Sequence, residues 1–127
     1  MATVLVLDDD EGVGLMLCEV ITDLGHQCLR AQDIEDVSQS LRVDVVITDL
    51  VTVRVYNRAA AAAWIAGLRQ RFRGIPVLLL TAHAQAVADA DFFAPAYVMG
   101  KPFEIDGLAA AVNDLIERSA DSGRPSA

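Results

Sequence analysis

Five short apolar runs mark the chain: TVLVL at 3–7, QCLRA at 27–31, DVVIT at 44–48, PVLLL at 76–80 and AYVMG at 96–100. All but the second are apolar nearly throughout, as parallel strands covered on both faces are. The stretches between them carry a helical period instead. Val13, Met16, Leu17, Val20, Ile21 and Leu24 recur at i, i+3, i+4, i+7, and Gly25 supplies a stop. Asp33 is placed to cap a second helix reaching to about Leu41, and Asn57 to cap a third in which Ala61, Trp64, Ile65, Leu68 and Phe72 share a face. A fourth, weaker helix is predicted over 84–91. A fifth, over 104–119, turns Ile105, Leu108, Ala109, Val112, Leu115 and Ile116 inward.

Strand and helix therefore alternate five times, which predicts an α/β fold: a doubly wound, five-stranded parallel sheet with strand order 2-1-3-4-5. Such a sheet offers its ligand crevice beyond the carboxyl ends of strands 1 and 3. The pattern assigns one domain to residues 1–119. The polar RSADSGRPSA segment ends the sequence, and residues 120–127 are expected to form a flexible tail with no effector domain after it.

A length of 127 residues suffices to bury a core without staples. Cys18 and Cys28 lie ten positions apart in apolar patterns, with neither CxxC spacing nor a zinc-ligand count, and are expected to be buried free thiols, as suits a reducing cytoplasm. No apolar run approaches the ~20 residues that span a bilayer, and the MATVLVLDDDEG start has no basic leader, so no membrane association and a cytoplasmic location are expected. The formal net charge of −8 argues against nucleic acid as a partner.

The residues directly after each strand form a coherent set: Asp8, Asp9 and Asp10 after strand 1, Asp49 after strand 3, Thr81 after strand 4 and Lys101 after strand 5. Carboxylates gathered at one place repel, and a bound cation relieves them. All-oxygen ligands suit a hard ion, with Mg²⁺ the best fit. A carboxylate held between metal and lysine can attack phosphorus and become an acyl phosphate, with a hydroxyl and an ammonium on the phosphoryl oxygens.

These residues resemble the receiver domains of response regulators in two-component signalling, typified by the single-domain chemotaxis receiver. The resemblance covers about residues 2–118 and rests on four motifs in order: VLVLDDDEG, DVVITDL, IPVLLLTAH and GKPF. It implies a flavodoxin-like (βα)5 fold and a stand-alone receiver, not an enzyme beyond self-catalysed phosphotransfer and dephosphorylation. Asp49 would accept a phosphoryl group from a sensor histidine kinase or a histidine phosphotransfer protein. Asp8, Asp9, Asp49 and the backbone carbonyl of Val51 would hold Mg²⁺, Thr81 and Lys101 would hold the phosphoryl group, and Asp10 would be an accessory acid. A cis Lys101–Pro102 bond is implied as well. Output would pass to a downstream protein, with a homodimer possible, through the family's α4-β5-α5 face, here 84–91, 96–100 and 104–119. His83 stands where relatives tune the access of hydrolytic water, and His26 where they carry a packing aromatic.

Two departures qualify the resemblance. The family's proline and glycine turn after the acceptor is replaced by Val51, Val53 and Val55 alternating with Thr52, Arg54 and Tyr56, a period-two pattern that predicts extended backbone. It would bring Arg54 and Arg58 near the acidic crevice, where they could contact a partner or a phosphoryl group. The aromatic switch position, three before the lysine, is Val98, and the ring of Tyr97 should face the opposite side of the strand. Either the strand is shifted by one residue or the ring relay is missing, and its absence is the favoured reading. The departures keep a pseudo-receiver scaffold as an alternative. An aspartate-nucleophile phosphatase is disfavoured by Val51 in place of a second acid, and a flavin module by the acids after strand 1.

Overall fold

The computed structural model describes residues 2–38, 41–49 and 55–123. Its strands are β1 (Thr3–Leu7), β2 (Gln27–Ala31), β3 (Val45–Thr48), β4 (Val77–Thr81) and β5 (Tyr97–Gly100). All pair in parallel, in the order β2-β1-β3-β4-β5, so the predicted doubly wound sheet is the one observed. The helices are α1 (Glu11–Asp23), α2 (Arg58–Arg71), α3 (Ala84–Ala88) and α4 (Ile105–Gly123), with single 3-10 turns at Ile34–Asp36 and Ala90–Phe93.

Alternation along the strands divides the core into two layers. Leu5, Leu7, Val46, Val77 and Leu79 face Ala61, Ile65, Leu68 and Phe72 of α2 and its end. Val4, Val6, Val45, Ile47, Leu78 and Leu80 face Leu17 and Ile21 of α1 and Leu108, Val112 and Leu115 of α4. Local signals set the helix ends. Asp10 caps α1 by accepting from the Val13 N–H, Asn57 caps α2 by accepting from the Ala60 N–H, and Gly25 leaves α1 with φ +89°, a backbone that glycine adopts without a Cβ clash.

Four expectations are corrected. Among the described residues the second predicted helix is only the turn Ile34–Asp36: Asp33 accepts the Glu35 N–H, and Val37 then turns extended, its carbonyl taken by the Arg71 guanidinium. Cys18 and Cys28 are not free thiols but form a disulfide, because α1 packs on the edge strand β2 with their Cα atoms 5.4 Å apart. The last helix runs on to Gly123, past the boundary expected at 119. Met16 and Ile105, predicted to face inward, are exposed. No helix among the described residues is long and apolar enough to cross a membrane.

Candidate functional site

The sheet ladder continues one residue beyond three of its strands, and those residues build the site. Asp8 donates its N–H to the Ala31 carbonyl, Asp49 to that of Leu7 and Lys101 to that of Thr81, at 3.3, 3.0 and 2.8 Å. Each functional side chain thus starts from a backbone fixed by the neighbouring strand. Lys101 Nζ lies 3.1 Å from Asp8 Oδ2 and 3.1 Å from Asp49 Oδ2, joining acids that come from β1 and β3. Asp8 is 5% exposed, a burial that a carboxylate tolerates only when paired. Its other oxygen accepts the Asp10 N–H at 2.9 Å. Burial draws the Lys101 ammonium toward losing its proton, but the charge of Asp49 and the hydrogen bonds to Asp49 and Asp8 outweigh it and hold the group above its ordinary value.

Asp8, Asp9 and Asp49 each offer a carboxylate oxygen, and the three lie within 4.8 Å of one another. That spacing and an all-oxygen donor set fit a hard divalent cation. Asp10 stands apart from this trio because its carboxylate caps α1. Thr81 is buried and holds its Oγ1 at 3.0 Å from the His83 N–H, which donates to it. The Lys101–Pro102 bond is cis, as the resemblance implied, and so is Ala94–Pro95.

Strand β5 is not shifted: its register runs evenly from Leu78 opposite Tyr97 to Thr81 opposite Gly100. Val98 therefore packs into the α2-side core, and Tyr97 is 39% exposed on the other face. The roles expected of Val51 and Arg54, and the extended backbone over 50–54, lie outside the described residues. Arg58 does not turn to the acids. Its guanidinium sits 4.5 Å from the centroid of the Phe92 ring, a cation–π contact between the start of α2 and the turn at 90–93. His26, where packing was expected, accepts the Ala2 N–H on its Nδ1 at 3.1 Å.

Two groups around the site had no signal in the sequence pattern. Tyr56 donates its hydroxyl to Asp89 at 2.6 Å and lays its ring 6.0 Å from that of His83, fastening the start of α2 to the end of α3. Partial burial, together with the hydrogen bond to the Asp89 carboxylate and its charge, pushes the Tyr56 phenol up to about 12. Trp64 donates its indole N–H to Thr48 Oγ1 at 3.0 Å, while the Thr48 hydroxyl donates to the Asp49 carbonyl at 2.7 Å. A tryptophan read as core thus braces the backbone of the central acid.

No protein-family model and no curated protein matches the sequence. Solved structures do match the fold. A response regulator from Thermotoga maritima superposes with a TM-score of 0.76 at 19% identity, over 92% of this chain and 98% of its own. The Thermotoga maritima response regulator TrrA, solved in complex with Mg²⁺-BeF, gives 0.72 at 24% identity, over 91% and 99%. The chemotaxis protein CheY4 of Vibrio cholerae gives 0.70 at 21%, over 91% and 98%. The fold of this chain, along more than nine-tenths of its length, is that of the response regulator receiver domains.

Proposed function

We propose that the chain is a receiver in a two-component phosphorelay, accepting a phosphoryl group on Asp49 from a histidine kinase or a histidine phosphotransfer protein. The observation that carries this reading is Lys101 Nζ set 3.1 Å from both Asp8 and Asp49, with Asp9 completing a three-carboxylate group. In the reaction an Asp49 oxygen attacks the phosphorus of a phosphohistidine. The P–N bond breaks as the P–O bond of the acyl phosphate forms, and the imidazole leaves with the electron pair and takes up a proton. Lys101, already on Asp49, follows the charge onto the phosphoryl oxygens. Thr81 releases the His83 N–H and turns its hydroxyl to the same group. Asp8, Asp9 and Asp49 would hold Mg²⁺, with the Val51 carbonyl as a fourth protein ligand; the ion supplies charge neutralisation to the phosphoryl oxygens.

Output passes through the face formed by α3, β5 and α4, to a protein partner or a second copy. Val87, Phe92, Tyr97 and Ile105 are exposed in these elements and the turn between α3 and β5. The test is treatment with acetyl phosphate and Mg²⁺ followed by intact-mass measurement. One added phosphoryl group on the wild type and none on Asp49→Ala is the expected result.

A second reading is favoured by the same lysine. Lys101 can itself serve as the counter-ion of the acid pair, giving a scaffold with the receiver fold and no phosphorylation. An unmodified mass together with a thermal midpoint indifferent to Mg²⁺ would establish that scaffold and overturn the first reading.

A further inference from the structure

Where the second predicted helix is reduced to a single turn, the flank of α2 carries an open groove of about 560 Å³. Ile34 and Leu68 give it an apolar floor, and the half-buried Trp64 lines it. Gly67 leaves it wide, since a Cβ built there meets nothing within 4 Å. Arg71 and Arg73 stand toward one end, and among the described residues no Asp or Glu lines it, in a chain whose net charge is −8. The Arg71 guanidinium is held in place by donating to the Val37 carbonyl, and its buried Nε has no acceptor among the described residues.

We propose that this groove binds a nucleoside monophosphate, with the base against the Trp64 indole and the phosphate at the Arg71–Arg73 end. Aromatic faces stack bases with little regard to their identity, and guanidinium forks match phosphate oxygens. Trp64 and Arg71 stand seven positions apart on one helix, roughly 10 Å along its axis at about 1.5 Å per residue, a length that base, sugar and phosphate together can span. The volume falls within the roughly 300–1,000 Å³ of small-molecule sites and is generous for a bare phosphate. The inference does not depend on phosphorylation of Asp49.

Trp64 is the chain's only tryptophan, so its fluorescence reports the groove directly. The full chain is titrated with adenosine 5′-monophosphate, adenosine and inorganic phosphate, with calorimetry in parallel. The monophosphate should give a saturable emission change, and adenosine and phosphate should each bind at least about tenfold more weakly. Gly67→Leu fills the groove and favours the helix in which it sits, so it should abolish binding while melting no lower than wild type. Arg73→Ala should weaken the monophosphate by about tenfold and leave adenosine unchanged. No saturable change in the wild type, equal affinity for the monophosphate and adenosine, or undiminished binding by folded Gly67→Leu would overturn the proposal.

Discussion

Lys101 illustrates how much one side chain carries at this site. Its ammonium satisfies two carboxylates at once, and one of them, Asp8, has a side chain only 2% exposed. Removing one partner of a buried pair costs about 3–5 kcal/mol; with Lys101 and Asp49 partly open to solvent, roughly 2 kcal/mol is expected for Lys101→Met. Urea unfolding measures this directly, and Mg²⁺ should restore part of the loss by taking over the freed oxygens. Alkaline pH tests the neighbouring pairs. Tyr56 and Lys101 both have folded-state values above their ordinary 10.0 and 10.5, so the folded chain binds these protons more tightly than the unfolded one. For Tyr56 the stability this gives is complete below about pH 10 and is lost as pH rises toward about 12, and Lys101 contributes in the same direction at alkaline pH. Urea midpoints between about pH 9 and 11.5 should therefore fall, and fall less steeply in Tyr56→Phe, which lacks the phenolic proton. At this scale the site's acids, hydroxyl and lysine were legible because each stands at or just past the end of an apolar strand. Tyr56–Asp89 and Trp64–Thr48 were not, since a bond between residues 33 or 16 positions apart leaves no period to read.

Among the elements, the strands were the most legible, above all the central β1, β3 and β4, because a buried parallel strand has little freedom in composition. The stretch 33–41 misled for a physical reason. Ile34, Val37 and Leu41 have helical spacing and do pack toward the core, but Ile34 does so from a single turn, Val37 from extended backbone, and Leu41 from a turn closed on the Ser38 carbonyl. Asp, Ser and Val are weak helix formers, and the Asp33 cap and Arg71 satisfy the backbone groups that further helix would have used. The cysteines misled differently: a separation of ten residues says nothing until α1 is laid on β2. The resulting bridge closes a short loop, for which chain entropy gives about 2–3 kcal/mol. Reduction with dithiothreitol, or Cys18→Ala with Cys28→Ala, should lower the unfolding free energy by that amount. Thiol alkylation before and after reduction counts the bridge independently.

For the molecule as a whole, a net charge of −8 with three acids converging at one sheet end predicts that divalent cations stabilise the fold. A ligand of the folded state alone at ten times its Kd adds about 1.4 kcal/mol. For a domain of this size that raises Tm by about 5 °C. Calorimetry should show this with Mg²⁺ and not in Asp8→Asn, where K⁺ at equal ionic strength serves as the control. The sheet order also ranks its strands by resistance to opening. Asp8 and Asp49 come from β1 and β3, paired on both sides, whereas Lys101 comes from β5, a half-exposed edge that pairs only with β4. Amide protons of an edge strand exchange with solvent through local fluctuations that interior strands do not need. The lysine that neutralises the two acids is therefore tethered to an edge of the sheet and the acids to its interior. A transient opening of β5 would unmask both carboxylates without opening the strands that carry them.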